Sequence, residues 1–238
     1  MIDAGASAKR LELALRRMDI DIPSLKAIFI THEHIDHVSA LRVFASRYSI
    51  DVYASEGTLR ALDGEGHLEG NFDAYIMGTG GAEAGDMRIT AFNTSHDSSE
   101  SLGFCVETPD GRKITTVTDT GVITGEIAES LERSDLVLIE SNHDLRMLET
   151  GPYPYYLKRR IKSDRGHLSN RACGETLQKL VRTGTARIVL GHLSEENNRP
   201  GLARETSERA LTQIGAEEGR DYELYVAPPG PMEKMIIF

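Results

Sequence analysis

Apolar positions along the chain fall into two alternating patterns. Short runs rich in Ile, Val, Phe, Tyr or Thr, bounded by polar residues or Gly, predict strands. They lie at Lys26–Ile30, Ile50–Ala54, Met87–Phe92, Leu102–Thr108, Lys113–Thr118, Leu136–Glu140, Ala186–Gly191, Tyr222–Ala227 and Met235–Phe238. Between them, amphipathic stretches predict helices over Ala8–Met18, Val38–Arg47, Gly57–Leu62, Thr124–Glu132, Asn170–Thr183 and Ala203–Ile214. In the first helix, Leu11, Leu15 and Met18 form one apolar stripe at i, i+4 and i+7. Leu136-Val137-Leu138-Ile139 is apolar on both faces, which predicts a sheet covered on both sides. Leu102–Thr118 reads as a hairpin turning at Pro109-Asp110-Gly111. The alternation predicts a mixed, layered α/β fold, read as one domain over residues 1–238 because no linker-like stretch divides it.

Composition narrows the function classes. Hydrophobic residues make up 39% and charged residues 27% of the 238, as in a globular protein with a sizeable core. No apolar run approaches a membrane span, and the first residues do not read as a signal peptide. Cys105 and Cys173 are too few for a disulfide framework or a four-thiolate zinc site, so a reducing cytoplasm is expected and both are read as structural. A net charge of −10 argues against a broad nucleic-acid-binding surface but leaves room for a local basic patch or for metals that bind phosphate.

The eight histidines are informative because of their placement. The strand ending at Ile30 runs directly into Thr31-His32-Glu33-His34-Ile35-Asp36-His37, an H-x-H-x-D-H cluster that opens a helix. Imidazole and carboxylate suit Zn²⁺ and its neighbours. Further donors stand at strand ends: His96 in Thr94-Ser95-His96-Asp97, Asp119 in Thr118-Asp119-Thr120-Gly121, and His192 in Gly191-His192-Leu193-Ser194. His67 lies in a Gly-rich loop and is expected to face solvent.

These motifs, in this order, resemble the metallo-β-lactamase superfamily over nearly the whole chain. Within it the closest resemblance is to the YycJ/WalJ group, relatives of ribonuclease Z and ribonuclease J. It rests on Ile2-Asp3-Ala4-Gly5, Glu140-Ser141-Asn142-His143-Asp144, Gly166-His167-Leu168-Ser169-Asn170 and the run from Gly191 to Asn198. The resemblance implies a four-layer αββα sandwich, here without the first two N-terminal strands of the family. The start is misassigned, the chain is shortened, or the first sheet has lost an edge. The resemblance also implies two divalent metal ions, Zn²⁺ or Mn²⁺. His32, His34 and His96 would hold one, Asp36, His37 and His192 the other, and Asp119 would bridge them.

Such a centre is expected to attack a phosphodiester with a bridging hydroxide. Asp36 would orient it, and His167 would protonate the leaving oxygen. His143 is a further catalytic candidate, as a donor to phosphate or as an orienting group. Just before His167, the segment from Tyr153 to Arg165 carries Tyr153, Tyr155 and Tyr156, then Lys158, Arg159, Arg160, Lys162 and Arg165 against the single acid Asp164. Basic groups for phosphates and rings for bases are the parts of a nucleic-acid surface. The activity the resemblance implies is a 5′→3′ DNA exonuclease linked to repair. Two other readings stay open: a hydrolase of a small ester (cyclic phosphodiester, lactone or thioester) on the same site, and a non-catalytic, metal-stabilised binding module.

Overall fold

A computed structural model describes residues 1–78, 80–230 and 236. The strand expected over Met235–Phe238 lies outside the described residues. In chain order the strands are β1 (Ala27–Phe29), β2 (Asp51–Ala54), β3 (Ala74–Ile76), β4 (Ala82–Ala84), β5 (Met87–Asn93), β6 (Leu102–Glu107), β7 (Lys113–Val117), β8 (Leu136–Glu140), β9 (Arg187–Gly191) and β10 (Glu223–Val226). The helices are α1 (Ala8–Arg17), α2 (Ile35–Val38), α3 (Leu41–Tyr48), α4 (Glu56–Gly64), α5 (Gly125–Leu131), α6 (Leu145–Thr150), α7 (Tyr155–Ile161), α8 (Asn170–Arg182) and α9 (Pro200–Thr212). Among the described residues no helix is long and apolar enough to cross a membrane.

The strands form a three-stranded sheet, β1-β2-β3, and a seven-stranded sheet in the order β10-β9-β8-β7-β6-β5-β4. The chain divides into two compact units, one of Met1–Ala91 with Ser98–Phe104, the other of Phe92–Asp97 with Cys105–Phe238.

In the first unit β1, β2 and β3 are parallel, with Ile28 beside Val52 and Tyr53 beside Tyr75. Its core gathers Ile28, Ile30, Leu41, Phe44, Val52 and Leu62, with Leu11 and Met18 of the α1 stripe packed against it. The helix expected over Val38–Arg47 is instead broken between α2 and α3. At the break the Ala40 N–H donates to the Ala4 carbonyl, and the Ser39 hydroxyl donates to the Gly5 carbonyl. The N-terminal segment thus takes hydrogen bonds that helix continuity would have used. Gly5 has no room for a side chain, because a Cβ there would lie 1.5 Å from the Asp36 carbonyl oxygen.

In the second unit β7, β8, β9 and β10 run parallel, which places β8, apolar on both faces, inside the sheet as expected. Val137, Ile139, Ile188 and Leu190 join Leu177 and Leu180 of α8 and Leu211 of α9 in one core. The turn after β6 closes as expected, with the Thr108 N–H on the Arg112 carbonyl and Gly111 at φ 85°. Helix α8 starts on Ser169, whose side chain accepts the Ala172 N–H. Cys173 is buried here, and burial pushes its thiol up to about 12, which makes it inert.

The close approach at Gly5 gives a direct test. Gly5→Ala forces the Asp36 carbonyl to move, and crowding of this kind costs about 1–3 kcal/mol. Urea unfolding of metal-free protein should show that loss, while Gly64→Ala, which meets nothing within 4 Å, should show none.

Candidate metal centre

In the first unit, a carboxylate organises the histidine cluster. Asp3, held at φ 56°, accepts the Thr31 N–H at 2.8 Å and the Thr31 hydroxyl at 2.9 Å. It also accepts His37 Nδ1 at 2.7 Å. A carboxylate can only accept here, so the His37 proton sits on Nδ1 and Nε2 presents a lone pair. His32 Nδ1 lies 3.1 Å from the same Thr31 hydroxyl. That hydroxyl spends its own proton on Asp3, so His32 donates from Nδ1 and its Nε2 also presents a lone pair. His34 Nδ1 lies 2.9 Å from that Nε2. Asp36 is exposed, with Oδ2 3.6 Å from His37 Nε2. Glu33 turns aside to accept the Ser99 N–H at 2.7 Å.

The second unit repeats the device with Glu140, which is fully buried. Its Oε1 accepts His167 Nδ1 at 2.8 Å and His192 Nδ1 at 2.7 Å. Its Oε2 accepts the Thr120 N–H at 3.1 Å and the Leu168 N–H at 3.0 Å. Burial alone would raise the Glu140 pKa, but these bonds and the two neighbouring imidazoles hold it well below the usual carboxylate range. Burial likewise works to lower the His167 pKa, and the Glu140 carboxylate overcomes it, leaving it raised.

Two imidazoles then face Asp119, itself buried and at φ 55°. His192 Nε2 lies 3.5 Å and His96 Nε2 3.7 Å from Asp119 Oδ1. His96 Nδ1 donates to the Gly166 carbonyl at 3.1 Å, so its Nε2 too is a lone-pair donor, and burial lowers its pKa. Two imidazole lone pairs facing one carboxylate oxygen make a donor set suited to a divalent ion of the Zn²⁺ type. His192 joins Asp3 and Asp119 in the left-handed region, at φ 53°. This backbone costs roughly 1–2 kcal/mol per residue and persists where surrounding bonds impose it.

Behind the site lies a buried polar network. Asn198 Nδ2 donates to the Ser141 and Asn142 carbonyls, at 2.7 and 3.0 Å, and to Asn170 Oδ1 at 2.8 Å. Ser141 also donates to Asn170 Oδ1, and Asn142 Nδ2 donates to the His192 carbonyl. The loops after β8, before α8 and after β9 are thereby tied together. His143 is 1% exposed, and neither ring nitrogen has a hydrogen-bond partner among the described residues. Burial lowers its pKa to about 4, so it is neutral at pH 7.

The structure thus joins His96, Asp119, His167 and His192 in one unit and His32, His34, Asp36 and His37 in the other. Sequence reasoning missed the orienting roles of Asp3 and Glu140. Both stood in the motifs Ile2-Asp3-Ala4-Gly5 and Glu140-Ser141-Asn142-His143-Asp144, and a lone carboxylate beside an apolar strand was the available signal. His67 differs from expectation. It is half-buried, with Nε2 3.5 Å from Glu65, because its N–H returns to the Leu62 carbonyl and folds the turn inward. The basic segment forms α7, on which Tyr155 and Tyr156 are exposed and the Arg159 guanidinium lies 6.0 Å from the Tyr155 ring centre. Its other cations point back to protein. Lys158 donates to the Glu149 and Gly151 carbonyls, Arg160 to Asp97, Lys162 to Glu149, and Arg165 to the His96 carbonyl.

Replacing the Glu140 carboxylate by an amide removes the charge and turns an NH2 group toward two of its four N–H donors. Glu140→Gln in metal-free protein at pH 7 should lose about 3–5 kcal/mol by urea unfolding, the usual cost of breaking a buried pair. Because the folded pKa is depressed, the Glu140 contribution is complete above the unfolded carboxylate pKa and fades as pH falls through the folded one. The gap between wild type and variant should therefore hold from pH 7 to pH 5 and narrow in more acid solution.

The beta-lactamase superfamily domain matches residues 1–193. An exodeoxyribonuclease YycJ of Bacillus anthracis is 34% identical over 233 residues, covering 96% of this chain and 87% of the relative. An exodeoxyribonuclease WalJ of Streptococcus pneumoniae is 37% identical over 233 residues, covering 96% of this chain and 86% of the relative. The crystal structure of YhfI from Bacillus subtilis, a metallo-beta-lactamase fold protein, matches with a TM-score of 0.68 at 15% identity, over 96% of this chain and 84% of that one. That likeness shows the fold, and the two sequence matches over most of both chains show the family: this chain is a member of the YycJ/WalJ family within the beta-lactamase superfamily.

Proposed function

We propose that the protein is a metal-dependent phosphodiesterase that degrades DNA from the 5′ end, working in the reducing cytoplasm in DNA repair. The observation that carries the chemistry is that His37, His192 and His96 commit their Nδ1 protons to Asp3, Glu140 and a carbonyl, so that each offers Nε2 as a ligand. The polynucleotide substrate is supported by the relatives' name, exodeoxyribonuclease, and by the exposed rings of Tyr155 and Tyr156.

In this reading His32, His34 and His96 would hold one divalent ion, Asp36, His37 and His192 would hold a second, and Asp119 would serve both. Zn²⁺ suits the imidazole-rich set and Mn²⁺ the carboxylates. When bound, such ions supply Lewis acidity and acidify a shared water. Asp36, exposed at the head of α2, orients the attacking water. His167 is the general acid: Glu140 fixes its Nδ1 and raises its pKa, which leaves a protonated Nε2 for the departing oxygen. His143, neutral and buried, is the further candidate, as a donor to phosphate or as an orienting group. On α7, Tyr155 and Tyr156 stack on bases, with Tyr153 ahead of them, and Arg159 meets phosphate.

End-labelled single- and double-stranded DNA and RNA, digested with Zn²⁺ or Mn²⁺ added separately, test the substrate. Mononucleotides released from 5′-labelled DNA are expected. Hydrolysis of small cyclic phosphodiesters or lactones alone would replace this reading with the small-ester one, and two bound metals without any hydrolysis would leave a binding module. His167→Ala should keep about two metals per chain and lose turnover by ~10²–10⁴, while sparing a nitrophenyl phosphodiester whose leaving group needs no proton. Asp119→Ala should lose metal and activity together.

A further inference from the structure

The arginines of the basic segment have a structural destination. Arg165 directs both Nε and Nη2 at the His96 carbonyl, at 3.2 and 3.1 Å. Arg160 pairs with Asp97, the next residue along, and that pairing raises the Arg160 pKa. The Gly166 carbonyl, one residue beyond Arg165, takes the His96 ring proton. Thus the stretch from Arg160 to Gly166 grips the His96 loop by side chain, ring and backbone.

The same stretch has little freedom. The Gly166 N–H returns to the Ser163 carbonyl, and the His167 N–H returns to the Ile161 carbonyl. A Cβ on Gly166 would lie 2.2 Å from the Ile161 carbonyl oxygen. On its other side the turn presses on the loop of the bridging carboxylate. A Cβ on Gly121 would lie 2.2 Å from the Ser163 carbonyl oxygen, and the Gly121 N–H donates to the Ser95 carbonyl.

We propose that Arg165 and Arg160 are positioning residues for the His96 ligand, and that the turn after α7 sets how tightly the His96 metal is held. Among the basic residues, contact with nucleic acid then falls to Arg159, stacked on exposed Tyr155. The assignment rests on His96 being a metal ligand. It divides a run of positive charge into two jobs. A guanidinium spent on a carbonyl or a carboxylate of its own chain has fewer donors left for phosphate, whereas one laid over an exposed ring keeps them. The device also links substrate to metal, because α7 carries the stacking tyrosines at its start and leads at its end into the turn that clamps His96.

The test measures metal affinity and DNA affinity separately. Metal dissociation constants come from competition with a chromophoric chelator, using Zn²⁺ and then Mn²⁺. DNA affinity comes from anisotropy of a phosphorothioate single strand across a salt series, with metal-loaded protein. Arg165→Ala should weaken one of the two metals by ~10–100-fold, the usual effect of losing a group that orients a ligand, and leave the other unchanged. Arg165→Lys should recover part of the loss, because an ammonium can still donate to the carbonyl. Arg160→Gln should act on the same metal more weakly. Arg159→Ala should leave both metals alone and lower the salt slope by about one.

Unchanged metal affinities with a reduced salt slope in Arg165→Ala would overturn the proposal and return Arg165 to the phosphate contacts. If Arg165→Ala does not fold, Arg165→Lys and Arg160→Gln carry the same reading, and wild-type metal affinity in both overturns it. His96→Ala separates the two levels. If that variant still binds both metals as the wild type does, the ligand assignment itself has failed and the clamp has nothing to position.

Discussion

A carboxylate placed behind an imidazole is the constraint on which the rest of this protein's chemistry depends. Glu140 is a fully buried charge that survives because four donors converge on it: two ring N–H groups and the N–H groups of Thr120 and Leu168. Those donors come from three loops, so satisfying one carboxylate also fixes the Asp119, His167 and His192 segments against one another. A buried ion costs several kcal/mol of desolvation unless fully paired, which gives this geometry little room to vary. Asp3 does the same work in the first unit with fewer donors. It fixes the His37 tautomer and, through the Thr31 hydroxyl, that of His32.

The polar network around Asn170 and Asn198 extends the argument from tautomer to loop position. Asparagine carries both a donor and an acceptor on one rigid amide, so a pair of them can satisfy each other and still reach nearby carbonyls. Here Asn170 Nδ2 donates to Asn198 Oδ1 at 2.9 Å while Asn198 Nδ2 serves Asn170 and two backbone carbonyls. Apolar packing alone would hold these loops near the sheet end without fixing their register. Directional bonds in a low-dielectric setting supply the register, and each becomes costly to break once buried.

Much of this was legible in the chain, and the reasons for the rest are specific. Strands β8 and β9 declare themselves because both of their faces are largely buried, so most of their residues are apolar. Strands β3 and β4 do not. All of Ala74-Tyr75-Ile76 is exposed, and Ala82-Glu83-Ala84 is too short and weakly β-forming to stand out. The break between α2 and α3 is invisible because its cause is a hydrogen bond from Ala40 to Ala4, far away in sequence. The donor types gathered in the first unit were readable from H-x-H-x-D-H. Their orienters were not, since Asp3 and Glu140 stand in recognisable motifs but the imidazoles they face come from distant segments. The basic run shows the same limit: composition counts its charges, but only the folded chain shows that Arg160 and Arg165 spend theirs inside the protein.

The histidines show how one residue type is made to do different work without any change in its covalent chemistry. A metal ligand must be neutral and must offer a lone pair; a general acid must keep its proton. Burial favours the neutral ring and a facing carboxylate favours the cation, so the balance of the two assigns the role. His96, its Nδ1 held only by a neutral carbonyl, has burial as the dominant influence and a lowered pKa. His167, buried to a lesser degree and bonded to an ionised Glu140, has the carboxylate as the winner and a raised pKa. His192 shares that same Glu140 oxygen, yet its Nε2 also faces Asp119. The two rings therefore compete for one carboxylate oxygen, and only His192 has a second carboxylate in front of its Nε2. For His167, Glu140 is the group that raises its pKa against burial.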